Sequence, residues 1–192
     1  MNVETRELVP ELWPAVEELF GSNGACGGCW CMWWRVERGG KLWEKTKGAP
    51  AKRTFRRLVT SGRARGVLAF IAGKPVGWCS LGPRTDFPRL ERVRAYQRPD
   101  VDGVWSINCF FIARKFCGQG VARALLKAAV RACRRQGATV LEGYPVTSAR
   151  DGKRLAAVFS WTGPLKVFEQ QGFEVVQATP PTKPLVRRNL RG

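Results

Sequence analysis

A chain of 192 residues with 44% apolar content is long enough to bury a substantial core in one domain and too apolar to be disordered. Lys and Arg number 33 against 15 Asp and Glu, a formal charge of +18, which favours anionic partners without naming one. Histidine is absent, which removes the commonest general base and metal ligand, and no apolar run approaches the ~18 residues that a membrane-spanning helix needs.

The first residues, MNVETRELVPE, carry acids and no apolar core segment, so no secretory signal is expected and the chain reads as cytoplasmic. The seven cysteines are odd in number, and Cys79, Cys109 and Cys133 fall inside predicted core elements, where a thiol behaves as a small hydrophobe. The basic residues occur in pairs such as Arg56-Arg57, Arg134-Arg135 and Arg187-Arg188 rather than in a sustained run. That scatter suits a solvated surface that attracts an anionic cofactor better than a nucleic-acid track, though the charge leaves nucleic acid open.

In chain order, residues 3–9 alternate weakly and predict a first strand. Pro10 then opens a helix whose apolar face is Leu12, Trp13, Val16, Leu19 and Phe20, with Gly21 as its stop. A segment dense in Gly, Cys and Trp follows, and Trp30, Trp33 and Trp34 predict a short helix reaching Arg38. Residues 51–61 read as a basic helix with Phe55, Leu58 and Val59 inward. Residues 66–72 and 75–81, joined at Gly73-Lys74, give a hairpin signal. A polar stretch, 82–102, predicts one short helix near Leu90 to Tyr96. Residues 103–113 form the expected central strand, 138–144 another, and 147–156 a charged loop. A short helix over 164–171 ends at Gly172, and strands at 173–176 and 185–190 follow. The order predicts a mixed α+β fold: a central, mostly antiparallel sheet of about six to seven strands with one parallel pair, flanked by helices. One domain is expected, with an N-terminal acceptor-side part (1–64), a cofactor-binding core (65–176) and a C-terminal turn and strand (177–192).

The stretch from Ser106 to Gln136 organises this plan. A buried strand leads through Cys117-Gly118-Gln119-Gly120 into a helix with Ala122, Leu125, Leu126, Ala129, Val130 and Cys133 on one stripe. Unpartnered N–H groups and the helix dipole make such a helix start an anion site, and two glycines let a phosphate approach the backbone. Gly118 and Gly120 also fit part of a dinucleotide fingerprint, with Glu142 near the ribose-contact distance, but Arg123 stands where the third glycine belongs.

These residues resemble the GNAT superfamily, the GCN5-related N-acetyltransferases. Its cofactor loop maps onto Cys117-Gly118-Gln119-Gly120-Val121-Ala122, followed by Arg123-Ala124-Leu125-Leu126. A second landmark, Val167-Phe168-Glu169-Gln170-Gln171-Gly172-Phe173, looks like that family's final helix and its Gly-Phe exit into a strand. The resemblance covers about residues 65–176. Two positions depart from it: Cys117 replaces the usual Arg or Gln, and Phe168 stands where many members carry a tyrosine that protonates the leaving thiolate.

The resemblance implies an acetyl-CoA-dependent transfer of an acetyl group to a primary amine of a small molecule or peptide, by direct attack with no acyl-enzyme. The pantetheine arm would lie along Phe110, Phe111 and Ile112, with a backbone N–H there polarising the thioester carbonyl. The pyrophosphate would sit on the backbone amides of Gly118, Gln119, Gly120, Val121 and Ala122, with Cys117 at the head of the loop and Arg114 and Arg123 as nearby cations, and Phe168 would contact the cofactor near its thiol. Glu142 and Tyr144, two residues apart and therefore on one face of their strand, are the expected base and acid; Cys109 and Cys117 are alternative acids. Trp30, Cys31, Trp33 and Trp34 are expected at the acceptor pocket. Cys26, Cys29 and Cys31 have too few companions for a zinc ribbon, so no metal is expected. A homodimer is left open. The alternative to an acetyltransferase is a basic nucleic-acid-binding module, or a cysteine-based metal or redox module, on a degenerate form of the same fold.

Overall fold

Turn chemistry and strand alternation set the sheet. The computed structural model describes residues 2–37, 41–147 and 161–191. Within these, β2 (Arg65–Ile71) and β3 (Lys74–Pro83) pair through a two-residue turn. The turn is Ala72-Gly73 rather than Gly73-Lys74, with both residues at positive φ (49° and 76°), the geometry that matches strand twist. The remaining strands are β1 (Glu4–Glu7), β4 (Val104–Ile112), β5 (Val140–Gly143), β6 (Glu174–Gln177) and β7 (Leu185–Asn189), and the sheet runs β1-β2-β3-β4-β5-β7-β6. All neighbours are antiparallel except β4 and β5. The mixed α+β reading with a mostly antiparallel sheet and one parallel pair therefore holds.

Helices α1 (Trp13–Phe20), α2 (Lys41–Thr46), α3 (Ala49–Thr60), α4 (Val121–Arg135) and α5 (Leu165–Glu169) flank it. Val67, Ala69, Val76, Leu81 and Ile107 bury one face against Leu125, Leu126 and Ala129 of α4. Leu68, Phe70 and Trp78 bury the other against Trp13, Val16 and Phe20 of α1 and Phe55 and Val59 of α3. Each such Val, Leu, Ile or Phe side chain contributes ~1.5–3 kcal/mol of burial free energy. Trp34, Phe87, Leu90, Tyr96, Tyr144 and Leu185 make a third cluster at the β5 end.

Two local expectations are corrected. Residues 30–35 form consecutive turns, not a helix, because Trp30 and Cys31 take positive φ (44° and 54°), which helical backbone excludes; Arg38 lies outside the described residues. Residues 84–96 form three short 3₁₀ turns in place of one helix. The charged loop expected at 147–156 falls mostly outside the described residues.

Candidate active site

The site is built on a defect in β4. Ser80 pairs with Cys109 but Leu81 pairs with Ile107, so Asn108 is an extra residue, a bulge that bends the strand. The parallel pairing with β5 covers only Val104–Ile107 against Val140–Gly143, and beyond the bulge the two strands part. Ala113 N–H donates to the Val76 carbonyl, so by antiparallel alternation Cys109 and Phe111 also bond β3, while Phe110 and Ile112 turn their peptide groups to the open side.

Of the three β4 residues expected to carry the cofactor arm, Phe111 is thus engaged by β3. Phe110 N–H is also taken, by the Trp161 carbonyl at 2.5 Å; it is not the free carbonyl-polarising donor that the sequence suggested. Ile112 keeps its edge position. Residues 161–164 fill the parted strands: Val146 N–H donates to Gly163, Leu165 N–H to Val146, and Val146 bridges Pro164 in parallel.

At the end of β4, Cys117 to Gly120 lead into α4. Gly118 (φ 78°) and Gly120 (φ 82°) are left-handed, which glycine adopts without strain. A Cβ on either would meet nothing within 4 Å among the described residues, which leave the space over the loop open. The amides of residues 118–123 make no hydrogen bond among the described residues, leaving a row of donors at the positive end of a 15-residue helix. Gly77 sets this row close to the strand edge, since a Cβ there would lie 2.8 Å from Val121. Gln119 turns back to cap the Lys115 carbonyl at 2.7 Å, and the Cys117 thiol is exposed beside the Ile112 carbonyl. These features fit a pyrophosphate with an extended arm beside Ile112.

Glu142 and Tyr144 are brought together as expected, but inside a closed network. Glu142 accepts from Arg84 Nη1 at 2.5 Å, Arg187 Nε at 2.8 Å and the Tyr144 hydroxyl at 2.9 Å. Arg84 also donates to Glu91 at 2.9 Å and to the Tyr96 carbonyl at 2.6 Å, and Arg187 to Asp100. Ser106 completes the ring at 2.9 Å from the Tyr144 hydroxyl. Both Glu142 and Tyr144 are fully buried. Burial, then the Glu142 charge, hold the Tyr144 phenol well above its ordinary range. The two arginines escaped sequence reading because their partners lie 45 and 58 residues away.

Phe168 is fully buried, its ring edge-on to Phe110 and Phe173. Cys109 is held above the usual thiol range by a hydrogen bond with Cys31 and by burial, which makes it a poor proton donor. Trp30, expected at the acceptor pocket, instead packs in the core against Trp13 and Phe20. Cys31 accepts from the Trp78 indole at 2.9 Å. Trp33 is half-buried under the Arg89 guanidinium, 3.5 Å from its centroid, and against Trp43. Trp34 reaches the bulge, its indole donating to the Asn108 carbonyl at 3.0 Å, and packs on Tyr144 and Trp161. Among the described residues no group of three His, Cys, Asp or Glu side chains is placed to hold a metal ion, and no helix is long and apolar enough to cross a membrane.

A bulged central strand, a parting parallel pair and a glycine-led helix start define an acyltransferase of the N-acetyltransferase class. The Acetyltransferase (GNAT) family matches residues 30–151, and the chain belongs to that family. No curated protein matches it. Among solved structures, an N-acetyltransferase from Staphylococcus aureus Mu50 is similar at 10% identity and TM-score 0.59, covering all of both chains. The PaiA N-acetyltransferase from Thermoplasma acidophilum, in complex with coenzyme A, is similar at 12% identity and TM-score 0.54, over 98% of this chain and 99% of that one. The putative acetyltransferase YncA from Salmonella typhimurium, with its cofactor acetyl-CoA, has 12% identity and TM-score 0.53, over 98% and 94%.

Proposed function

We propose that this protein transfers an acetyl group from acetyl-CoA to an amine. The observation that carries the reading is the run of unbonded amides at residues 118–123 on an open glycine loop, the donor set a pyrophosphate needs. Related folds in complex with coenzyme A or acetyl-CoA support the choice of donor. Bound there, acetyl-CoA supplies a thioester carbonyl open to direct attack by a neutral amine.

The chain's own residues bind and orient. Backbone amides 118–123 hold the pyrophosphate, with the exposed Arg114 and Arg123 adding charge. The Ile112 peptide group steadies the arm as an added strand would be steadied. Trp34 fixes the bulge by its bond to Asn108 and gives the acceptor side an aromatic wall. Glu142 and Tyr144 act as positioning residues: with two arginines on one carboxylate and no exposed atom, they pin residues 84–100 over the sheet rather than shuttle protons. Phe168 supplies packing in place of an acid.

Thermal unfolding with and without acetyl-CoA tests the reading. A ligand at 100 times its Kd stabilises the fold by ~2.7 kcal/mol, so a clear rise in Tm is expected. No rise at millimolar acetyl-CoA would overturn it.

A further inference from the structure

Two arginine side chains buried among the described residues, Arg84 and Arg35, are treated differently. Arg84 spends its donors on Glu91, Glu142, Tyr144 and the Tyr96 carbonyl. Arg35, whose side chain is 7% exposed, has a single ion pair among the described residues, Nη1 to Asp86 Oδ2 at 3.5 Å, too long for a strong charge-assisted bond. Asp86 is shared with Arg65 at 3.8 Å, so one carboxylate faces two guanidinium groups. Arg35 Nε and Nη2 are buried and have no hydrogen-bond partner among the described residues. These two nitrogens share one edge of the guanidinium, the fork that grips a carboxylate with two parallel hydrogen bonds. Phe87 lies under the guanidinium, 4.7 Å from the ring centroid, and holds its plane.

The position is suited to a substrate. Arg35 directly follows Trp34, whose indole is bonded to the bulge at Asn108. A Cβ on Gly82 would lie 3.3 Å from Asp86 Oδ2, and Gly82 pairs with Ser106, two residues before the bulge. At ~3.3 Å per residue the two levels are about 7 Å apart, the span of a small bifunctional molecule. Asn108 Nδ2, also buried, is likewise without a partner among the described residues.

We infer that Arg35 is a carboxylate-binding residue of the acceptor site, and that the acceptor is a small amino carboxylic acid whose amine reaches the β4 bulge. This rests on the acetyltransferase reading. Burial holds the Arg35 pKa below its usual value, against the pull of Asp86, a cost that a bound carboxylate would offset.

The test uses the full chain with acetyl-CoA and follows thiol release with the common α-amino acids, β-alanine, 4-aminobutyrate and 6-aminohexanoate, each paired with its amide. At least one acid is expected to exceed its amide by 100-fold or more in kcat/KM. Arg35→Gln should collapse that ratio to a few-fold, and Arg35→Lys should restore part of it; a retained thermal shift with acetyl-CoA reports that each variant is folded. Equal turnover of acids and amides, or acids left untouched by a protein that acetyl-CoA stabilises, would overturn the assignment. Absence of any acetyl-CoA shift in the parent protein would instead overturn the acetyltransferase reading, and the two failures are separate.

Discussion

Arg84 and Glu142, 58 residues apart in sequence, meet at 2.5 Å with neither side chain exposed to solvent. Glu142 sits on β5 and Arg84 at the start of the turns of residues 84–96, so the pair ties those turns to the strand beside the gap between β4 and β5. Removing Arg84 leaves the buried Glu142 carboxylate with Arg187 as its cationic partner and with one charge-assisted bond fewer. Arg84→Met is expected to lower the unfolding free energy by ~1–3 kcal/mol, measured by urea denaturation. The double variant Arg84→Met, Glu142→Leu should lose less than the sum of its singles, because the two side chains share one contact. An additive pair would show that the contact carries no coupling.

Tyr144 makes stability fall at alkaline pH. Its folded pKa is raised well above 10 by burial and by Glu142, whereas the unfolded phenol titrates near 10. Above that pH the unfolded state binds fewer protons than the folded one, so stability declines as pH rises through this window and is fully present below it. Tyr144→Phe should flatten the decline that sets in above about pH 10. An unchanged slope in that variant would assign the loss to other groups.

Gly120 precedes α4 at φ 82° and ψ 0°. A Cβ there meets nothing within 4 Å among the described residues, so Gly120→Ala should cost only the left-handed strain, ~1–2 kcal/mol. The same methyl points into the open space where the phosphate would approach, and acetyl-CoA affinity should drop at least about 10-fold, some 1.4 kcal/mol. Asn tolerates the left-handed region better, so Gly120→Asn should recover stability but not affinity. Calorimetric titration reads the affinity; binding that survives both variants would move the pyrophosphate elsewhere.

Arg114, Lys115 and Arg123 are all exposed around this loop, and exposed charges are screened by salt. Raising salt from about 50 to 500 mM, where the screening length shrinks several-fold, should raise KM for acetyl-CoA several-fold while kcat stays level. A kcat that falls in parallel would place the salt-sensitive step in chemistry rather than in donor capture.

Much was determined by the chain itself. The i, i+3, i+4 stripe from Ala122 to Cys133 and the two glycines before it are local patterns, and local patterns specify α4 and its open N-terminal amides whatever packs around them. The hairpin and the Gly172-Phe173 exit were legible for the same reason. Only the tertiary structure decided what Glu142 does. Its period-two partnership with Tyr144 was readable, but Arg84 and Arg187 come from distant segments, and their approach turns an apparent base into a buried ionic anchor. Trp30 joined the core rather than a pocket because left-handed backbone at Trp30 and Cys31 replaced a helix with turns. Arg35 carried no signal in a chain with 33 basic residues. Its buried, unbonded edge exists only once Phe87 and Asp86 fold beneath it, because exposure and partnership are properties of packing and not of sequence spacing.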